Sequence, residues 1–216
     1  PKTLVDLARP DGLVCTTDGR ITPELLRRLY LAQPLRDIVD WPQGERDGYE
    51  MLPVNTVVNA FYVHCLSLMA RIATVLGKTD DARAYAERGR RAHAAFLATC
   101  LDRSRGIFVD GEGSAHAALH ANIFPLAFDL VPEEYVASVA AHIVTRGMAC
   151  SVYAAQFLLE ALYRAGRADA ALALLTATGE RGWAHMIEVG STIALEAWDD
   201  RFKPNQDWNH AWGAAP

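Results

Sequence analysis

The chain of 216 residues is 51% apolar and 22% charged, a balance that is typical of a globular protein and excludes a disordered chain or a small disulfide scaffold. Lys and Arg total 21 against 26 Asp and Glu, so the net charge of −5 lacks the basic excess that binds nucleic acids or anionic membranes. The longest apolar stretches are interrupted before the roughly 20 residues that a bilayer span requires. We therefore expect no nucleic-acid partner and no membrane partner.

The cysteines and the termini indicate the cellular setting. None of the cysteines lies in a CxxC pair, and we interpret all of them as buried free thiols in a reducing compartment. They are Cys15, Cys65, Cys100 and Cys150. No secretory signal is present at the start, which favours a cytoplasmic location. Neither end has an evident cap, so residues 1–216 are interpreted as one partial domain, truncated at both ends.

The predicted elements begin with irregular chain and become almost wholly helical. Residues 1–22 are rich in turn-forming pairs, residues 23–33 predict a short helix with Pro at its start, and residues 40–54 form a polar and aromatic loop. Apolar helices are predicted over 55–76, 116–130 and 151–165. Amphipathic helices are predicted over 80–101, 132–145 and 168–178. A last short helix is predicted over 191–198, a segment rich in aromatic and acidic residues.

This alternation predicts stacked αα-hairpins in an all-α protein of about eight helices, with no sheet larger than a hairpin. The apolar helix of each pair is expected to be the more buried. Two architectures are compatible with the pattern: an open tetratricopeptide-like solenoid that binds a peptide, and a closed (α/α) barrel around a central pocket. The turns at Gly77 and Gly166 resemble tetratricopeptide turns, although the spacing does not hold to the 34 residues of that repeat.

Tryptophans accumulate near the end of the chain among acids and amides. Four of the five lie at or after Trp183, and the fifth is Trp41 in the polar loop. Indole faces mixed with carboxylates and amides are typical of a sugar site, because the C–H face of a pyranose stacks on the ring while its hydroxyls need polar partners. We interpret Trp41, Trp198 and Trp208 as site residues, and for Trp212 core packing is an equal alternative.

Glu196 is an acid with apolar neighbours, which predicts a raised pKa. Glycoside hydrolysis requires two carboxyl groups on opposite sides of the sugar, and Glu196 is a candidate for one of them. The loop of residues 40–54 holds other carboxylates, which a surface loop would leave solvated. They are Asp40, Glu45, Asp47 and Glu50.

Histidines and glycine motifs give no strong indication of a metal or a cofactor. His116 and His120 are four residues apart and could bind a metal from one face of a helix. No third potential ligand occurs at a sequence spacing that is typical of metal sites. His64 lies among apolar residues and is interpreted as a core histidine. No dinucleotide or phosphate-binding glycine motif is present. We therefore expect neither a metal nor a cofactor.

Five short motifs occur between residues 40 and 213. They are Asp40-Trp41-Pro42, Asn59-Ala60-Phe61-Tyr62, Leu76-Gly77-Lys78, Gly190-Ser191-Thr192-Ile193 followed by Glu196 and Trp198-Asp199, and Asn209-His210-Ala211-Trp212-Gly213. Over roughly residues 36–216 this set resembles the catalytic domain of bacterial α-L-rhamnosidases, an inverting family of glycoside hydrolases with an (α/α)₆ barrel.

The resemblance implies a function and a set of roles. It implies hydrolysis of terminal α-L-rhamnosyl residues with inversion, and Glu196 falls at the family's catalytic base. His210 and Trp41 fall at residues of the sugar pocket, and Asp40 and Trp198 are further substrate-binding candidates. The family's general acid would precede this sequence, so the chain alone is expected to be nearly inactive.

The expected partners are a rhamnose-containing glycoside, the remaining hairpins of the barrel and accessory β-domains. A peptide-binding tetratricopeptide scaffold and a different (α/α)-barrel sugar enzyme, such as a uronyl hydrolase or an epimerase, remain as alternatives. The concentration of polar residues in loops rather than along one helix face favours the enzyme over the scaffold.

Overall fold

The computed structural model describes residues 7–16, 19, 21–33 and 37–210, and every structural statement below refers to these residues. They form eight α-helices and one two-stranded antiparallel hairpin. The number of helices agrees with the prediction of about eight, but the helix over 183–188 was not predicted. The helices are α1 (Pro23–Arg28), α2 (Thr56–Val75), α3 (Thr79–Cys100), α4 (Leu119–Ala127), α5 (Glu133–Arg146), α6 (Val152–Arg164), α7 (Ala168–Leu175) and α8 (Trp183–Glu188). In the hairpin, β1 (Leu101–Asp102) pairs with β2 (Ile107–Phe108), Leu101 opposite Phe108.

Local capping explains where the inner helices begin and end. The side chain of Asn55 accepts a hydrogen bond from the Val58 amide and starts α2, and Ser151 caps α6 in the same way. Gly77 and Gly166 follow these two helices with φ of +68° and +69°, a left-handed conformation that glycine adopts at little cost. The predicted bounds of these helices therefore hold within a few residues.

Two predicted segments differ from the structure. α4 begins at Leu119 instead of residue 116, because Asp110 holds the preceding chain extended: its carboxylate accepts from the Ala118 amide and contacts His116 Nδ1. Residues 191–198 are not helical. The Glu196 amide donates to the Asp207 carbonyl, and this pairing with a later segment replaces the intrahelical hydrogen bonds.

The helices pack in an inner and an outer row. α2 pairs with α3, α4 with α5, and α6 with α7, while α4 also packs on both α2 and α6. Every residue of α4 is buried, whereas only three residues of α3 and one of α7 are. The expectation that the apolar helix of each pair is the more buried is confirmed. Phe96 of α3 stacks on Phe108 of β2 and joins the outer row to the core.

The second half of α2 is an exception to this burial. Ile72, Val75 and Leu76 are exposed beside a surface groove of about 330 Å³. Cys65 is exposed on the same helix, so its predicted burial is wrong, whereas the other three cysteines are buried and free as expected. The large apolar side chains of Ile72, Val75 and Leu76 therefore lack packing partners among the described residues.

α2 also bears on the expectation about membranes. It is 20 residues long and apolar enough to cross a bilayer by length and composition alone, so the expectation that no segment reaches this length is wrong for α2. Among the described residues it is the one helix of this kind, and 44% of its most apolar window is buried inside the fold. A core helix passes the same test.

Candidate functional site

A cleft of about 680 Å³ lies at the N-terminal ends of α2 and α6. The loop before α2 and the segment after α8 contribute its polar residues, and α2, α4 and α6 contribute apolar ones. The residues that line it are Ile38, Val39, Asp40, Trp41, Val57, Val58, Phe61, Phe124, Tyr153, Ala154, Phe157, Glu196 and His210. Trp41, Glu196 and His210, which the resemblance assigns to one site, all line this cleft.

Asp40 anchors the loop that presents Trp41. Its carboxylate accepts from the Trp41 amide (2.8 Å), from the amide (2.9 Å) and the hydroxyl of Ser151, and from His120 Nε2 (2.7 Å). These four donors fill the acceptor positions of a carboxylate. Asp40 therefore fastens the loop to α4 and to the start of α6, and its geometry does not support the direct sugar contact that the resemblance implies.

Trp41 lies next to this anchor and is the aromatic face of the cleft. Its side chain remains 44% exposed and lines the cleft. Arg46 donates from Nε to the Asp40 carbonyl (2.8 Å) and fixes the loop from its other side. A large aromatic ring held rigidly yet left open to solvent is available to stack on a ligand.

Glu196 is buried in the wall of the cleft, and its surroundings favour the carboxylate. Its Oε2 accepts from Lys203 Nζ (2.8 Å) and from the Asp207 amide (2.9 Å). Burial acts to raise the pKa of Glu196, but these hydrogen bonds and the nearby Lys203 and His210 outweigh it, and the net pKa is lowered. The predicted raised pKa is wrong, because the sequence does not reveal Lys203 as a partner.

Tyr153 is a cleft residue that the sequence reasoning missed. Its ring packs edge-to-face on His210 with centroids 5.6 Å apart, and burial together with the Glu196 carboxylate raises the pKa of Tyr153 to about 12. The phenol thus stays protonated near the carboxylate at neutral pH. The one available signal was its position directly after the α6 start, beside the Ser151 cap.

Trp198 belongs to the core and not to the cleft. It is fully buried, packs edge-to-face on Trp183 with centroids 5.0 Å apart, and donates from Nε1 to the Cys150 carbonyl (2.7 Å). The interpretation of Trp198 as a substrate-binding residue is therefore wrong. Trp208 is exposed but is not among the described residues that line the cleft, and Trp212 lies outside the described residues.

The remaining carboxylates of the 40–54 loop are held by protein groups. Glu45 is buried and pairs with Arg181, Asp47 accepts from the Leu119 amide (2.7 Å) and pairs with Arg146, and Glu50 accepts from the Ser114 hydroxyl (2.6 Å). Glu45 and Asp47 line a separate cavity of about 320 Å³. These acids fix the loop, and the expectation that they are solvated is wrong for Glu45, which burial shields from water.

Outside the cleft, His64, His116 and His120 each contact other groups of the protein. His120 is fully buried on Asp40, and His116 Nδ1 lies 2.6 Å from Asp110. No group of three potential metal ligands occurs within the described ranges. His64 stacks on Phe128 with centroids 4.3 Å apart, and burial lowers its pKa.

Three pairs of inner and outer helices, with a cleft of aromatic and carboxylate side chains at the N-terminal ends of the inner row, are consistent with a fragment of a six-hairpin glycosidase barrel. Residues 27–216 match the family model described as the bacterial alpha-L-rhamnosidase 6 hairpin glycosidase domain, and the chain belongs to this family. The tetratricopeptide alternative is thereby set aside.

Curated relatives agree with this assignment. An α-L-rhamnosidase of Alteromonas sp. (strain LOR) is 26% identical over 172 residues, which are 74% of this chain and 18% of the relative. An α-L-rhamnosidase of Streptomyces avermitilis is 28% identical over 164 residues, which are 71% of this chain and 15% of the relative. The chain thus spans less than a fifth of the length of either relative.

Solved structures confirm the predicted all-α fold. A rhamnosidase of Klebsiella oxytoca with rhamnose bound gives a TM-score of 0.71 at 16% identity, over 97% of this chain and 38% of that one. A GH78 family rhamnosidase of Bacillus sp. GL1 gives 0.71 at 19% identity, over 100% of this chain and 22% of that one. The three hairpins described above are therefore part of the predicted (α/α)₆ barrel.

The burial of Trp198 leads to a stability prediction. Trp198→Phe should lower the free energy of unfolding by about 1–3 kcal/mol, because the Cys150 carbonyl loses its donor and the core loses part of an indole. Urea denaturation of both proteins measures this difference. The affinity for a sugar ligand should stay unchanged. A weakened affinity with unchanged stability would instead show that Trp198 binds the sugar.

Proposed function

We propose that this chain forms part of an α-L-rhamnosidase that hydrolyses terminal α-L-rhamnosyl residues of glycosides with inversion. The observation that carries this function is the cleft in which Trp41, Glu196 and His210 meet, in a chain of the rhamnosidase six-hairpin family. Glu196 is the general base in this proposal. The bound rhamnose named for the Klebsiella oxytoca structure and the names of both curated relatives support the substrate class.

The environment of Glu196 suits a base. A general base must be ionised before it can take a proton from water, and the lowered pKa of Glu196 keeps it ionised at neutral pH. Lys203 and the Asp207 amide both bind Oε2, and the Tyr153 phenol also hydrogen-bonds the carboxylate, so a water molecule would take the lone pairs that remain. That water would attack the anomeric carbon from the side opposite the leaving oxygen.

The rest of the cleft would hold the sugar. Trp41 offers an aromatic face for the C–H surface of rhamnose, and His210 and Tyr153 offer polar atoms for its hydroxyls. The Tyr153 phenol is protonated and can donate a hydrogen bond. Asp40 contributes indirectly, since it holds Trp41 in place.

An inverting hydrolase also needs a general acid, with the two carboxyl groups about 6.5–9.5 Å apart. Among the described residues that line the cleft, two carry carboxylates, Glu196 and Asp40, and four donors occupy Asp40. We therefore propose that the acid comes from residues other than those described. The 216-residue chain alone would then hydrolyse rhamnosides far more slowly than a complete barrel.

The exposed apolar half of α2 supports the same view of the assembly. Ile72, Val75 and Leu76 would bury their side chains against further hairpins of the barrel. The Klebsiella oxytoca structure, of which this chain covers 38%, is long enough to provide them.

The function is tested with the complete natural protein that contains this sequence. An aryl α-L-rhamnoside should be hydrolysed, and ¹H NMR should show β-L-rhamnose as the first product, because the reaction inverts the anomeric carbon. An aryl β-glucoside serves as the control substrate and should remain intact. Initial release of the α-anomer would overturn the inverting mechanism, and cleavage of the glucoside alone would overturn the substrate class.

Trp41 gives a further prediction. Trp41→Ala should weaken rhamnose binding about 2- to 13-fold, because an aromatic contact contributes about 0.5–1.5 kcal/mol. Titration calorimetry with rhamnose measures the change. Trp208→Ala is the matched control, since Trp208 is as exposed as Trp41 but does not line the cleft. Equal losses in the two variants would contradict the role of Trp41.

A further inference from the structure

Lys203 is built into the segment that carries Glu196. Its Nζ lies 2.8 Å from Glu196 Oε2 and also donates to the Asn205 carbonyl at 2.8 Å. The Lys203 side chain is only 20% exposed, so this ion pair is largely shielded from solvent. A shielded pair with a second hydrogen bond is more strongly held than a surface ion pair, which contributes little.

The segment closes on itself around this pair. The Glu196 amide donates to the Asp207 carbonyl (3.1 Å), and the Ala197 amide donates to Gln206 Oε1 (3.0 Å). Gln206 Nε2 in turn donates to Asp200 (2.8 Å). These hydrogen bonds hold the backbone of the segment in one conformation. The ammonium group of Lys203 therefore contacts Oε2 of Glu196.

We infer that Lys203 is a positioning residue that holds the Glu196 carboxylate ionised and turned so that its other oxygen faces the cleft. This inference rests on the proposed function, since it concerns the same carboxylate. A lysine is suited to this role because its ammonium group is a compact charge that carries three hydrogen-bond donors.

The charges around Glu196 come from three elements. Lys203, Asp207 and His210 lie on its own segment, Tyr153 faces it from α6, and Asp40 lies on the loop before α2. Burial raises the pKa of Glu196, and the hydrogen bond from Lys203 is the strongest of the effects that lower it. Without the ammonium group, only the Asp207 amide and His210 still act against the effect of burial. The pKa of Glu196 must therefore rise.

The sign of the kinetic effect follows from this shift. A base is active only when ionised, so the acid limb of the profile of kcat/KM against pH reports its pKa in the free enzyme. If Lys203 lowers that pKa, its loss moves the acid limb to higher pH. At pH values below the pKa of Glu196, each rise of one pH unit in that pKa lowers kcat/KM about tenfold.

The test compares three variants of the complete natural protein on an aryl α-L-rhamnoside. Lys203→Met removes the charge with similar side-chain length, Lys203→Arg keeps it, and Lys78→Met removes a charge from an exposed lysine at the start of α3. We expect the acid limb to move upward in Lys203→Met and to stay in place in Lys203→Arg and Lys78→Met. A merely structural Lys203 would lower activity at all pH values alike, and that result overturns the inference.

A second measurement does not depend on activity. In the 216-residue chain labelled with ¹³C at the glutamate carboxyl carbons, the resonance missing from Glu196→Gln identifies Glu196, and its titration gives the pKa directly. Lys203→Met should raise this pKa and Lys203→Arg should not. An unchanged titration overturns the inference whatever the activity, whereas a raised pKa together with an active Glu196→Gln enzyme overturns the general-base proposal alone.

Discussion

Replacing Glu196 by Gln in the complete protein is expected to lower kcat by about 10²–10⁴-fold, which is the usual contribution of a general base. Gln keeps the shape of the side chain and can still accept hydrogen bonds from Lys203 and the Asp207 amide. It cannot take a proton from the attacking water. Steady-state kinetics on an aryl α-L-rhamnoside measures the loss, and titration with rhamnose should show nearly unchanged affinity.

The control for this substitution is Glu188→Gln. Glu188 is an exposed glutamate at the end of α8 and lies outside the cleft, so the same change of charge should leave kcat unaltered. An active Glu196→Gln enzyme would remove Glu196 from the mechanism. A loss of rhamnose binding as large as the loss of kcat would instead make Glu196 a substrate-binding group.

Replacing Asp40 by Ala is expected to lower the free energy of unfolding by about 3–5 kcal/mol, the cost of breaking a buried polar pair by removing one partner. His120 and Ser151 are fully buried, and both lose their acceptor in this variant. Each buried donor left without a partner costs about 1–3 kcal/mol. Urea denaturation monitored by circular dichroism measures the difference.

Asp80→Ala is the matched control for Asp40→Ala. The Asp80 side chain is fully exposed in the first turn of α3 and lies 3.7 Å from Arg83, so its removal should change the free energy of unfolding far less than Asp40→Ala. Because Asp40 also holds the Trp41 amide, Asp40→Ala should weaken rhamnose binding as well. A stable Asp40→Ala variant would show that the loop is held by other contacts, such as the Arg181–Glu45 pair.

The sequence by itself determined the helical framework. The period of the apolar residues predicts three inner and three outer helices, and Asn55, Gly77, Ser151 and Gly166 mark the ends of two of the inner helices. These features depend on residues within a few positions of each other. The motifs around Asp40, Glu196 and His210 likewise indicated which segments meet at the cleft.

The sequence pattern was less informative where the irregular segments meet the helices. The predicted helix over 191–198 is absent because the Glu196 segment pairs with residues 206 and 207, which a local pattern does not show. The start of α4 lies later in the chain than predicted for a similar reason. The Asp110 carboxylate accepts a hydrogen bond from the Ala118 amide and so keeps the preceding residues out of the helix. Both errors come from hydrogen bonds between a segment and a partner outside its own helix.

Only the tertiary structure decided which aromatic and acidic residues belong to the cleft. Trp41 and Trp198 each have an aspartate next to them in sequence, yet Trp198 is buried and donates to the Cys150 carbonyl whereas Trp41 is partly exposed. Glu196 was expected to have a raised pKa, and Lys203 reverses the direction. Burial and the electrostatic surroundings of a side chain are set by groups distant along the chain, which the helical period does not encode, whereas helix formation and capping depend on near neighbours.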